Sequence, residues 1–185
     1  MQYYGKTYTN NNGDCSTTNY NSKFKNWASQ CSDCQNFVSQ CIWYGYGGSN
    51  TTTAINNHYK PMVYNISGAT DWWCDSSSTG TNWTWTSVPH FESMIKANYT
   101  NDKIGVQGTE GTGSFLRKGD FISMKAYEHV YIVTDIVDSN SDGKVDFNEI
   151  YVSAHTNNRN NVKLSSLVSS AADVKFMYIM YYRES

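Results

Sequence analysis

Between residues 34 and 45 the apolar side chains fall on one face of a helix, with Cys34, Phe37, Val38, Cys41, Ile42 and Gly45 recurring at i, i+3, i+4, i+7 and beyond. Asp33 stands at the N-cap position and Gly47-Gly48 is a natural stop. Far downstream the pattern changes. Phe121–Met124, Val130–Val137, Ile150–Thr156 and Phe176–Tyr182 are short runs of β-branched and aromatic residues, which predict strands. A helical period first and strand runs later constrain the chain to an α+β domain, with an N-terminal helix packed on an antiparallel sheet.

Other segments fill in this frame. Ser87 as a cap, Pro89 in the first turn, and Val88, Phe91, Met94 and Ile95 on one side predict a second helix that ends in the polar 98–103 stretch. A short helix is expected within 164–171. Residues 1–33 read as an irregular lead-in whose aromatic residues can still pack on the core, and 48–84 as loop-rich. No repeat or linker divides the 185 residues, so one domain spanning 1–185 is expected.

Composition narrows the partners. With 15% aromatic and 16% charged residues the chain is expected to fold rather than remain disordered. Fourteen Lys and Arg against sixteen Asp and Glu leave a net charge of -2, which provides no basic footprint for nucleic acid or an anionic membrane. The apolar run Phe176–Tyr182 is far too short to span a bilayer. Met1 to Lys6 lacks the apolar core of a signal peptide, so any export signal is expected to be absent or unconventional. Nothing in the sequence indicates an oligomeric state.

Five cysteines, at 15, 31, 34, 41 and 74, are an odd number, so at least one stays outside any intramolecular disulfide. Cys34 is placed on the first turn of the first helix. There the unpaired amides and the helix dipole favour an anion, so its pKa is expected to fall and its thiolate to act as a nucleophile. The bland alternative is a small buried residue, or half of a disulfide with Cys31 or Cys41. Cys31 and Cys34 also have C-x2-C spacing, but no second close pair follows to complete a zinc site.

A nucleophilic cysteine needs a base. His129 begins the Val130 strand, where a ring can face a helix start across a cleft. His155 lies on the strand expected to pair next and is placed to orient His129. His58 and His90 carry no partner pattern and receive no role.

These residues together resemble a known family. Asp33-Cys34 leading through Phe37-Val38-Ser39-Gln40-Cys41 to Gly47-Gly48, then Trp83 and Trp85 before Val88 and Phe91, Gly119-Asp120-Phe121-Ile122, the His129 strand, and His155-Thr156 with Arg159 and Leu164-Ser165 are similar to the Putative amidase domain family of bacterial cell-wall hydrolases. That family looks like a branch of the papain-like cysteine hydrolases, near the NlpC/P60 and CHAP groups. The likeness runs over roughly residues 19–180. It implies a papain-like fold, with Cys34 as nucleophile, His129 as base, and His155 or Asn157 as the third polar residue, acting on an amide or peptide bond of peptidoglycan. Gln35 stands where a Thr often follows the family's cysteine, and Glu128 where an Asp often precedes the histidine.

Between the two histidine-bearing strands, Asp138, Asn140, Asp142, Gly143 and Glu149 satisfy D-x-[DN]-x-[DN]-G-x5-E at every position. A hard cation takes oxygen ligands, so the expected set is the side chains of Asp138, Asn140 and Asp142, the Lys144 carbonyl, Asp146, and a bidentate Glu149 around calcium. Because strands rather than helices flank this EF-hand-like loop, the ion is expected to be structural.

The leading expectation is therefore a calcium-stabilised cysteine amidase or endopeptidase of the bacterial cell wall: a lysin, autolysin or toxin acting outside the cell, or a phage protein released at lysis. Trp72, Trp73, Trp83 and Trp85 are candidates for a substrate groove, with core packing as the alternative for each. Two rivals stand beside it: a cysteine hydrolase of a non-wall amide, and a non-catalytic calcium-dependent wall-binding module.

Overall fold

The computed structural model describes residues 21–25, 27, 33–76, 80–126, 129–156 and 158–184. Among them are four α-helices, α1 (Cys34–Gly45), α2 (Thr52–Asn56), α3 (Trp83–Thr86) and α4 (Val88–Asn101). Six strands follow, β1 (Gly105–Gly111), β2 (Phe121–Met124), β3 (Val130–Ile136), β4 (Ile150–Ala154), β5 (Arg159–Lys163) and β6 (Val174–Arg183). All pair antiparallel in the order β1-β6-β2-β3-β4-β5. The α+β class read from the sequence is the class observed.

Helix α1 starts and stops where its periodicity predicts, and it buries Phe37, Val38, Cys41, Ile42 and Trp43. After Tyr46 the chain turns at Gly47, whose φ of +95° an L side chain rarely adopts. Gly48 then lies against Trp43, and a Cβ there would run into the indole ring. Helix α4 has Pro89 in its first turn and closes on Asp102, which is left-handed at φ +51°.

Alternation along the strands divides the core in two. On the helix side Val130 and Ile132 of β3 meet Phe121, Met177, Phe91, Trp85 and α1. On the other face Tyr131 and Val133 pack with Val152, Ala154, Ile122, Leu164 and Phe176. Phe24, in the lead-in, is buried and lies with its ring near those of Trp43 and Trp85. Phe91 and Trp85 are fully buried, and truncating either to Ala would cost about 3–5 kcal/mol.

Two strands have no signature in the sequence. β1 is rich in Gly, Gln and Thr. Its Gly111 exists because the Tyr178 ring of β6 occupies the space of a Cβ. β5 reads Arg-Asn-Asn-Val-Lys and holds as a strand through pairing with β4 alone. The short helix expected within 164–171 is a pair of 3-10 turns, Leu164–Ser166 and Ala171–Asp173. No helix of the described residues is long and apolar enough to cross a membrane.

Candidate functional site

Helix α1 points its first turn at the ends of β3 and β4. Asp33 stands at the N-cap of the helix, as its place in the sequence predicts, and is buried, but its carboxylate makes no cap bond to the helix amides. It bonds other side chains instead, one of them distant in sequence. One oxygen, Oδ2, bonds Nδ1 of His155, and the other accepts from Asn36 Nδ2 at 2.8 Å. The Asp33 amide donates to Thr156 Oγ1 at 3.0 Å. Asn36 in turn accepts from the Trp85 indole N–H at 2.7 Å. The end of β4 therefore clamps the residue before Cys34 at two points, and α3 backs the clamp.

Cys34 is half-buried and carries a thiol, as do the buried Cys41 and Cys74. The amide of Val130, at the start of β3, and those of Gln35 and Cys34 itself, at the helix start, favour its thiolate. Burial outweighs them, and the Asp33 carboxylate adds to burial, so the Cys34 pKa is raised. This corrects the expectation of a lowered pKa. The local dipole was read correctly, but the desolvation set by tertiary packing is larger. Cys41 and Cys74 are pushed up more strongly by the same cause. Cys15 and Cys31 lie outside the described residues, and with them the C-x2-C pair.

The amide bonded near the thiol belongs to Val130, so the His129-Val130 peptide lies against Cys34. The His129 ring stands edge-on to Tyr131, with centroids 4.7 Å apart, and makes no hydrogen bond to Cys34. Burial, followed by the charge of Arg159, lowers its pKa to about 4. At neutral pH both groups are therefore uncharged.

His155 was expected to orient His129. The structure bonds its Nδ1 to Asp33, on the helix face of the sheet where its ring lies 6.0 Å from that of Phe37. Asn157, the polar alternative, lies outside the described residues. Two neighbours of the site received no site role in the sequence reading. Asp33 was read as a cap because its partner is 122 residues away, and Arg159 sits on a strand with no strand signature.

The loop of 138–149 is exposed at its tip, with Glu149 buried at its base, and is organised by its own atoms. Gly143 has φ +75° and donates its amide to Asp138 Oδ2 at 3.0 Å. The amide of Asp142 reaches Asn140 Oδ1 at 3.1 Å, and that of Lys144 reaches Asp142 Oδ1 at 2.8 Å. Asp146 and Glu149 form a capping box. Glu149 Oε1 accepts from the amide and hydroxyl of Ser139, both at 2.6 Å, and these bonds lower the Glu149 pKa. Among the described residues no three His, Cys, Asp or Glu side chains converge as a ready metal cluster. The loop nevertheless holds five side chains with oxygen donors and the Lys144 carbonyl along one turn, a set chemically suited to a hard cation.

The four tryptophans separate. Trp72 and Trp85 are fully buried, so these two are core. Trp73 packs edge-on against Tyr64 and His58, and His58 bonds Asp75 at 2.8 Å. Trp83 is 72% exposed, with its ring 5.9 Å from that of His90.

Fold and neighbourhood define a class first: an α+β domain that sets a half-buried cysteine at a helix start against a strand headed by histidine. Residues 1–180 match the family described as "Putative amidase domain", and the chain belongs to that family, a family of hydrolases acting on amide bonds. Neither a search of curated proteins nor one of solved structures finds a match for the chain.

Proposed function

We propose that this protein is a papain-like cysteine hydrolase that cuts an amide or peptide bond in bacterial peptidoglycan, outside the cell or at lysis. The observation that carries the cysteine mechanism is the Cys34 thiol at the start of α1 against the His129-Val130 peptide. Cys34 Sγ attacks the carbonyl carbon while its proton passes to His129. The tetrahedral oxyanion collapses to a thioester as His129 returns that proton to the leaving amine. Water, deprotonated by the same imidazole, then releases the acid and the thiol. Because the thiol is raised and the imidazole lowered, His129 takes the proton during attack rather than holding a preformed ion pair. To accept it, the ring must turn from Tyr131 toward the thiol.

A second reading of the base rests on one bond. Asp33 fixes Nδ1 of His155 on the helix face, the same face as α1, which is how a carboxylate orients a catalytic imidazole. Single-turnover acylation separates the two. With His129 as base, His129→Ala abolishes thioester formation and His155→Ala slows it; the reverse order assigns the base to His155.

Calcium would be held by Asp138, Asn140, Asp142, the Lys144 carbonyl, Asp146 and Glu149. Bound there it would neutralise the acidic tip and hold the β3–β4 connection in register. Trp83 supplies an exposed ring on which a sugar or peptide stem can stack. Mass spectrometry of purified walls digested by the wild type and by Cys34→Ala tests the reading as a whole. New wall fragments are expected from the wild type, with a drop of at least about 1000-fold in Cys34→Ala. Undigested walls with hydrolysis of other amides would move the substrate elsewhere, and equal activity of the two proteins would sink the cysteine mechanism.

A further inference from the structure

We propose that Trp83 and His90, at the corner between α3 and α4, form a binding shelf for a neutral saccharide. This commits the exposed ring to sugar rather than to a peptide stem, and the shelf stands whether or not Cys34 cuts an amide. The other five tryptophans of the chain are wholly or partly buried, whereas Trp83 is 72% exposed. The residues around it are tied inward. Asn82 Oδ1 accepts from the Thr84 amide at 2.9 Å, the Thr84 hydroxyl donates to the Asp71 carbonyl, and the Trp85 indole N–H reaches Asn36. The Trp83 carbonyl itself accepts from the Ser87 amide at 2.9 Å. The backbone under Trp83 is therefore fixed while its ring faces water.

The His90 ring lies 5.9 Å from that of Trp83 and is tilted 36° to it, so the two form a shallow V. Ser87 Oγ stands 2.8 Å from His90 Nδ1 and holds the imidazole in place. Among the described residues neither His90 Nε2 nor the Trp83 indole N–H has a partner. In one tautomer Nε2 donates and in the other it accepts, and a sugar hydroxyl answers either. Charge narrows the occupant further. The sixteen residues 76–91 contain eight Ser or Thr and no Asp, Glu, Lys or Arg. The carboxylates at either end are taken, Asp75 by His58 at 2.8 Å and Glu92 by Ser123 and Lys175. An ionic ligand finds no counter-charge on this shelf, and a wholly apolar one would cover the indole N–H without pairing it. A pyranose ring satisfies both conditions. Its C–H face packs on the negative face of an indole, and the hydroxyls at its rim meet the indole N–H and Nε2. Because Trp85 bonds Asn36, two residues past Cys34, a saccharide gripped here is held at a fixed offset from the thiol.

The test titrates chitotetraose and cellotetraose, with trialanine as the peptide control, into isotope-labelled protein at up to millimolar concentrations. It follows the indole N–H signals by NMR, that of Trp83 being assigned by its loss in Trp83→Phe. At least one saccharide is expected to shift the Trp83 signal saturably while those of the buried tryptophans hold still. By calorimetry, Trp83→Ala should weaken that binding about 10-fold or more, Trp83→Phe should keep most of it, and His90→Ala should weaken it about 3-fold. Both side chains are exposed, so all three variants should melt within a few degrees of the parent. No shift of the Trp83 signal with either saccharide overturns the proposal. So does saccharide binding that survives Trp83→Ala, or trialanine binding as tightly as the sugars. Saccharide binding without cleavage of any amide keeps the shelf and sinks the hydrolase reading, and cleavage without saccharide binding does the opposite.

Discussion

The start of α1 and the loop of 138–149 were both legible as motifs, yet they are built in opposite ways. The loop is local. Its hydrogen bonds span two to ten residues, its tip is exposed, and its sharp turn follows from one glycine. The helix start is assembled from afar, since Asp33 meets residues 155 and 156 across more than 120 positions, and Asn36 meets Trp85. A local motif keeps the chemistry read from its sequence. A motif buried by distant elements can reverse it, as the raised pKa of Cys34 shows.

That contrast predicts unequal responses to mutation. Asp33→Ala leaves His155 buried without its carboxylate and should destabilise the fold by about 3–5 kcal/mol in urea unfolding. A loss below about 1 kcal/mol would mean that the clamp is ornamental.

His129 gives the next effect, read against pH. Its folded pKa of about 4 lies below the ordinary 6.5, so the unfolded chain takes up the proton first. The associated stability is fully present above about pH 6.5 and falls away as the pH drops toward 4, by up to about 3 kcal/mol. Thermal unfolding between pH 7 and 4 should show this slope in the wild type and a shallower one in His129→Phe; parallel slopes would place the imidazole in water.

The smallest effect belongs to the loop. With calcium near 100 times its dissociation constant, stability should rise by about 3 kcal/mol or less, read as a higher Tm that a chelator reverses. Asp142→Ala should melt like the chelated wild type, with little change when calcium is added. An unchanged Tm of the wild type at millimolar calcium would end the structural-ion reading.

Iodoacetamide labelling sharpens the comparison at its centre. Because burial raises the Cys34 pKa, alkylation is expected to be slow at neutral pH and to climb through the alkaline range. Fast labelling at pH 7 would show that the helix start wins over desolvation after all.

Much of the frame was visible in the residues. The 3.6-residue period named α1 to its ends, and Pro89 and Ser87 announced α4. β2, β3, β4 and β6 declared themselves by β-branched and aromatic runs. β1 and β5 did not, because a Gly-rich strand and an Asn-rich one are stable only against Tyr178 and Val152 on their neighbours. Trp72 and Trp85 could not be told from Trp83 by type, since burial is a property of what packs around a ring.

By itself the sequence determined which atoms are available: a thiol at a helix start, two histidines on adjacent strands, and a run of oxygen donors in a turn. These follow from period, propensity and local turn chemistry, which act over a few residues. Tertiary structure decided how those atoms behave. It bonded His155 to Asp33, and raised the thiol and lowered the imidazole by withdrawing both from water. Desolvation and cross-strand register depend on partners a hundred residues away or on pairings that no local pattern encodes.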